Sequence, residues 1–280
     1  MSVPHAHSRS RVMSFFVLLI LVSVTQTPLS AQQTPSSNAT AVVTKDPQAI
    51  AVIQSALSTL SSSTALAYQD SVATGTLTVS VGAKPLAMPI IIKTKGTRMT
   101  RVDLQKPKGT TVRIVNNGTG VILQPDGSVK RLLTNNTLVE RVNNIPAFSL
   151  LADFQDPTVS VESYGVAQIS SRPVNVVALR PLVVVGITQA QWDSTTTRTT
   201  FYLDQTTGVV SKIAYTEFGE NDPKVGELIE VLLSNYQAVD GTMVPLRQTT
   251  YVAGRLESDL MLSSVIFNTG VLDSEFALPK

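Results

Sequence analysis

The sequence predicts a mainly β fold of the α+β type. One domain holds an antiparallel meander of about ten to twelve strands, opened by an amphipathic helix and divided by a helical insert. From Val72 onward apolar residues recur at alternate positions, as in Leu77, Val79 and Val81. Glycine-containing turn dipeptides punctuate this pattern at short intervals, and helical spacing appears in only two places, near the start and in the middle.

The first 31 residues read as an export signal. His5, His7, Arg9 and Arg11 give a basic start, Phe15 to Val22 (FFVLLILV) is unbroken apolar chain, and TPLSA ends on Ala31, a small residue at a cleavage point. That apolar run is well short of the roughly 20 residues a membrane span needs, so cleavage after Ala31 is expected rather than anchoring. No other segment is long and apolar enough to cross a bilayer. Residues 32–45 (QQTPSSNATAVVTK) are polar and read as a flexible lead to a domain over 46–280.

Asp46-Pro47 then supplies a capping carboxylate and a proline at the first helical position. Ile50, Ile53, Leu57 and Leu60 follow at helical spacing and form one apolar stripe on a helix of about four turns. Strands are expected at LTVSV, AMPIIIKTK and RMTRVDLQ, and then at TTVRIV and GVILQP around the hairpin signal Asn117-Gly118. TLVERVNNIPAFSLLADF breaks the alternation, and Pro146 opens a second short helix there. TVSVESYGVAQIS, RPVNVVALRP, TTRTTFYLD, GVVSKIAYTEF, GELIEVLLSNYQAV, TMVPLRQTTYV and RLESDLMLSSVIF resume as strands. Trp192 reads as an anchor at a sheet edge.

Composition excludes much chemistry. The whole chain carries 22 Lys+Arg against 20 Asp+Glu, and loss of Arg9 and Arg11 leaves 22 − 2 = 20, a formally neutral mature chain with no bulk charge for nucleic acid. Both histidines leave with the signal, and the chain has no cysteine. Thiolate and imidazole metal sites, Ser-His-Asp and Cys-His nucleophiles, disulfides and a lipidated cysteine are all closed to it. No metal and no cofactor are expected. Carboxylate chemistry stays open, and its best case is Glu217, Glu220, Asp222 and Glu227 within EFGENDPKVGE, a carboxylate-based hydrolase as the lesser alternative.

The stretch from FYLDQTTGVVSKIAY to NYQAVDGTMVP resembles the periplasmic lipoprotein-carrier superfamily, the LolA/LolB-like, outer-membrane lipoprotein-sorting proteins. The matching positions are an Asp-x-x-Thr-Gly turn (Asp204, Thr207, Gly208) and a Tyr-x-x-x-Asp-Gly turn followed by proline (Tyr236, Asp240, Gly241, Pro245). RVDLQKPKGTTVRIVNNGTGVILQPDG and the closing FNTGVLDSEFALP are also similar to that superfamily. The resemblance implies a curved antiparallel half-barrel whose apolar inner face is lidded by the helices, with acyl chains held between them. It further implies an exported, periplasmic or secreted, non-catalytic carrier or chaperone for lipid or acylated lipoprotein, acting as a monomer. The alternative within the same fold is an envelope sensor or adaptor that binds lipid and a protein partner.

On this reading the pocket candidates are Ile50, Ile53, Leu57, Leu60, Met88, Met99, Phe148 and Leu151, and the polar-rim candidates are Arg98, Arg101 and Arg113. The thioethers suit a pocket for varied chains because they are flexible and polarizable. Intact-mass measurement of the exported protein is expected to give a chain that starts at Gln32, of 280 − 31 = 249 residues; a retained Phe15–Val22 run would show that the leader stays on as an anchor.

Overall fold

The computed structural model describes residues 38–61, 68–81, 84–182, 186–195, 198–218 and 226–279. The leader 1–31, residues 32–37 of the lead, Glu220 and Asp222 lie outside the described residues.

Helix α1 is Pro47–Ser61, started as expected by Asp46, whose Oδ1 accepts the backbone N–H of Gln48 at 2.7 Å and of Ala49 at 3.1 Å. Strands β1 (Asp70–Val81), β2 (Lys84–Lys95), β3 (Met99–Lys106), β4 (Gly109–Asn116), β5 (Thr119–Leu123) and β6 (Val129–Arg131) form one meander. The insert follows as α2 (Thr134–Glu140) and 3₁₀ turns at Arg141–Asn143 and Ala147–Gln155. Strands β7 (Val159–Ile169), β8 (Arg172–Pro181), β9 (Thr199–Asp204), β10 (Val210–Phe218), β11 (Gly226–Val239), β12 (Thr242–Val252) and β13 (Arg255–Phe267) form the second meander, with α3 (Gln189–Thr195) between β8 and β9. Among the described residues no helix is long and apolar enough to cross a membrane.

All thirteen described strands join in one antiparallel sheet, ordered β6-β5-β4-β3-β2-β1-β13-β12-β11-β10-β9-β8-β7. The strand beyond the expected ten to twelve is β6, three exposed residues (Val129–Arg131) too short to show alternation. The two meanders meet at β1 and β13. The sheet does not close, and its free edges β6 and β7 are consecutive in sequence, so the insert runs from one edge to the other.

Helix α2 records how strongly the sheet is curved. Asn136 exchanges two hydrogen bonds with the end of β10, donating from Nδ2 to the Phe218 carbonyl at 2.7 Å and accepting the Phe218 N–H at 2.9 Å. Four residues on, Glu140 accepts from Arg113 Nη1 of β4 at 2.5 Å. β4 and β10 are seven strand steps apart, about 34 Å in a flat sheet at ~4.8 Å per step. Four helical residues rise only about 6 Å. The sheet therefore bends until its two halves face each other across one helix, giving the expected half-barrel. Bulges interrupt the ladders at Thr74/Gly75, Ser163/Val166, Val210/Lys212 and Thr250/Tyr251, and such irregularities add local bend and twist.

The largest core lies between the second meander and its cover. Ile53, Leu57 and Leu60 of α1 and Phe148 and Leu151 of the insert are fully buried there against Leu179, Phe201, Ile213 and Val231. A second cluster, with Ile90, Ile92, Leu260 and Ile145, lines the inner face of the first meander. On the opposite face the C-terminal segment straps β2 to β4: Phe276 is fully buried over Ile114, and Lys93 pairs with Glu275 at 3.0 Å. Asp70 holds the strap's start by accepting the N–H groups of Thr269 at 2.8 Å and Gly270 at 3.1 Å.

Part of the expected flexible lead is docked. Lys45 bridges to Val161 in parallel register, and its ammonium donates to the carbonyls of Phe154 and Asp156, each at 2.7 Å. Thr44 accepts the Val161 N–H through its carbonyl at 2.8 Å. Polar composition hid this because the pairing is made by backbone and by the Lys45 head.

At the seam of the two meanders Gly75 has no room for a side chain, since a Cβ there would lie 2.3 Å from the Met261 carbonyl oxygen. Gly75→Ala is expected to destabilise the fold by about 1–3 kcal/mol through backbone displacement between β1 and β13, read as a lower urea midpoint.

Candidate functional site

Inward-facing residues of the curved sheet enclose a cavity of about 360 Å³. β2 offers Ile90 and Ile92, β3 offers Val102 and Leu104, and β11 offers Ile229 and Val231, each pair two residues apart as the pleat requires. β1, β4, β10, β12 and β13 complete the wall, and Glu140, Val142 and Asn143 of the insert form the cover. By contrast, the recess under Leu150 and Phe201 holds only about 30 Å³, little more than one water.

The cover is pinned at both sides of the hollow. Besides Asn136 on β10, Arg141 donates from Nε to the Thr97 carbonyl at 2.8 Å and pairs with Asp153, and Thr97 Oγ1 donates to Asp153 at 2.8 Å. Thr100 donates to Asn144, and Ser71 Oγ donates to the Ile145 carbonyl at 2.8 Å. These bonds fix Val142 and Asn143 over the inner face of the first meander.

Half of the lining residues are polar or charged, Lys106, Thr111, Thr250, Glu257 and Ser258 among them, and two further places are buried. At the cover, Glu140 (its side chain 7% exposed) uses both oxygens, accepting from Arg113 Nη1 at 2.5 Å and from Asn143 Nδ2 at 2.7 Å. The Glu140 charge raises the Arg113 pKa above its usual value, so the guanidinium stays charged. Burial, with Glu140 and Glu217 close by, pushes the Tyr215 hydroxyl far above its usual range and keeps it a neutral O–H. The second place is Gln248 on β12, in register between Leu233 of β11 and Leu260 of β13. It is 5% exposed, lines the cavity, and its Nε2 has no hydrogen-bond partner.

The structure distributes the sequence candidates unequally. None of the eight apolar candidates lines this cavity. Ile53, Leu57, Leu60, Phe148 and Leu151 are closed into the main core, with Ile50 packed at its margin. Met88 is buried on β2, and Met99 lies on the other face against the C-terminal strap. The helical stripe packs against large residues of β8 to β11, and the void is lined instead by other inward positions of both meanders. Of the three arginines, Arg113 lines the cavity, Arg98 pairs with Asp156 at a turn, and Arg101 binds Asp103 at 3.0 Å and the Glu275 carbonyl at 3.1 Å on the opposite face. The wall residues and Gln248 went unselected; the signal that could have found Gln248 is an amide at the inward phase of β12, two residues after Leu246.

The turn motif is structural. The Asp204 carboxylate accepts the N–H groups of Thr206 and Thr207, each at 2.9 Å, and Gly208 takes φ +71°. Asp240 at +47° and Gly241 at +79° make the tight hairpin, which sets Tyr236 opposite Pro245. The Tyr236 hydroxyl donates to the Val210 carbonyl at 2.6 Å, stitching β11 to the start of β10.

Glu217 and Glu227 stand opposite each other on β10 and β11, and Glu217 alone of the two lines the hollow. Among the described residues no group of three or more His, Cys, Asp or Glu side chains is placed to hold a metal.

No family model matches this sequence, and no curated protein matches it. Solved structures do. A domain assigned to outer membrane lipoprotein sorting, from Vibrio parahaemolyticus, aligns with TM-score 0.53 at 12% identity over 81% of this chain and 95% of that one. A LolA superfamily protein from Nitrosomonas europaea aligns with TM-score 0.54 at 13% identity, covering 85% and 99%. The chain has a LolA-like fold. A DUF1329 family protein from Desulfovibrio piger shares it, with TM-score 0.55 at 12% identity over 84% and 98%. In this LolA-like sheet the Asp-x-x-Thr-Gly and Tyr-x-x-x-Asp-Gly residues serve the turns rather than the hollow.

The backbone N–H of Thr207, then that of Thr206, holds the Asp204 carboxyl below its usual pKa. Its contribution to stability is therefore complete above an unfolded value of about 4 and is lost as pH falls through the depressed folded value. The gap in urea midpoint between the native chain and Asp204→Asn is expected to be constant above about pH 5 and to close on acidification. A gap independent of pH would show that the carboxylate charge plays no part in the turn.

Proposed function

We propose that this chain is an exported, non-catalytic carrier or chaperone of the bacterial envelope that holds the acyl chains of a lipid or acylated lipoprotein between its curved sheet and its helical insert. The observation that carries the reading is the hollow of about 360 Å³ between the curved sheet and the insert. Half of its lining residues are branched aliphatics, whose contact with an acyl chain is non-directional and returns about 0.8 kcal/mol per buried CH₂. The volume falls within the range of about 300–1,000 Å³ typical of small-molecule pockets.

The likeness to a lipoprotein-sorting domain and to a LolA superfamily protein supports the same reading. The leader supports periplasmic or secreted residence: the expected cut after Ala31 would release a neutral chain with no lipidated cysteine to tether it. No reacting group is needed for carriage.

Native mass spectrometry of protein purified gently from the envelope is expected to show bound lipid. Val102→Trp, which fills the hollow from β3 without adding charge, is expected to reduce the lipid-loaded fraction at least about tenfold while keeping cooperative unfolding. Lipid loading unchanged in that variant would place the guest elsewhere.

A further inference from the structure

The polar residues of the hollow fall into two groups. Lys106 ends β3, and Thr250, Ser258 and Glu257 lie toward the β12–β13 turn, with Lys106 and Glu257 exposed to water. The group at the cover lies deeper, Arg113 standing opposite Val102, four residues in from Lys106, and its members are only partly used. Arg113 has 41% of its side-chain surface open and gives Nη1 to Glu140, but its Nε and Nη2 bond to no described residue. Asn143 turns Nδ2 to Glu140, which leaves its amide oxygen without a donor among the described residues. The Tyr215 hydroxyl also bonds to no described residue and, unlike Gln248 Nε2, it is not cut off from the hollow.

These groups decide which guest fits. Water can serve them, and a guest that displaces it without reproducing the bonds loses affinity. A plain acyl chain laid across this corner would leave each group unpaired, at about 1–3 kcal/mol apiece. A chain that ends here in a polar head avoids that loss. The fold gives such a molecule a direction. α2 joins β4 to β10, so β1, β2 and β13 form the middle of the arc, and they carry the aliphatic residues Leu77, Ile90, Ile92 and Leu260.

The mixture of donors and acceptors narrows the head. Arg113 offers donors, Asn143 an acceptor, and Tyr215, held neutral by its burial, offers both. A carboxylate or phosphate is an acceptor only and would sit beside the charges of Glu140 and Glu217. An ammonium is a donor only and would meet the Arg113 guanidinium. Hydroxyl groups donate and accept without charge.

Resting on the carrier reading above, we infer that the hollow takes an amphiphile whose neutral head carries adjacent hydroxyl groups, seated on Arg113, Asn143 and Tyr215, with its chain along the aliphatic middle of the sheet. Tyr215 is the specificity-determining residue for the head, and the aliphatic wall supplies affinity for the chain. A glycerol head and a sugar head share this chemistry.

Calorimetric titration of the purified exported protein tests this with five probes of one chain length: 1-monooctanoylglycerol, octyl β-glucoside, methyl octanoate, octanoate and octylammonium. At least one of the two hydroxylated probes is expected to bind about tenfold more tightly than methyl octanoate and than either ion. Which of them does so tells a glycerol head from a sugar head. Tyr215→Phe removes one oxygen that bonds to no described residue. It is expected to weaken the preferred hydroxylated probe about fivefold, leaving methyl octanoate binding and the melting temperature unchanged. The inference is overturned if neither hydroxylated probe surpasses methyl octanoate, if an ion binds more tightly than both, or if the preference survives Tyr215→Phe intact. Binding of none of the five would overturn the carrier reading as well.

Discussion

The interior of this protein depends on a clasp seven residues long. Helix α2 grips β10 through Asn136 and β4 through Glu140, strands that a flat sheet would hold several helix diameters apart. That double attachment fixes the curvature, and the curvature decides what the side chains can do. On a flat sheet Val102 and Ile229 would belong to separate patches; on this one they face the same enclosed space. Removing either attachment would loosen the bend and the cover together, because the residues that bind the strands also carry Val142 and Asn143 over the opening.

The same bend brings strands of both meanders, β1 to β4 and β10 to β13, around one hollow, while the two meanders differ in how they are covered. The second meander receives two covers, α1 and the 3₁₀ turn Ala147–Gln155, and their large residues interlock with those of β7 to β11. The first meander receives only the short stretch around Val142 to Ile145, held by polar bonds from Thr97, Thr100 and Ser71. Polar anchoring fixes a cover without filling the space beneath it, since its contacts sit at the margin. Hydrophobic packing under α1 secures the fold; hydrogen bonding fixes the insert over the hollow.

Alternation, turn dipeptides and the Asp46-Pro47 start made the fold legible: most strands, α1 and the break at Pro146 can be read from the chain. β6 escaped because three exposed residues carry no period, and α3 because seven residues around Trp192 read as an edge anchor; the indole is indeed buried and donates to the Pro181 carbonyl at 2.9 Å. The candidate site was far less legible. An amphipathic stripe shows that a helix buries one face, but whether the opposing surface fills the gap depends on residues more than a hundred positions away. Ile53 and Leu57 therefore look like pocket walls in one dimension and are core in three. Tyr236 packs against the core three residues after Leu233, beside Asn235 at φ +53°, a departure that strict alternation conceals.

The unclosed sheet leaves two strand margins, which are treated differently from the interior. β6 is only three residues long, and the start of β7 is occupied by the chain's own Thr44–Asp46 segment, with Gly165 distorting the rest inside a bulge. Neither margin offers a long, straight, vacant template to another molecule. A sheet left bent and unclosed is thereby kept from growing, ribbon onto ribbon, into a polymer with its own copies.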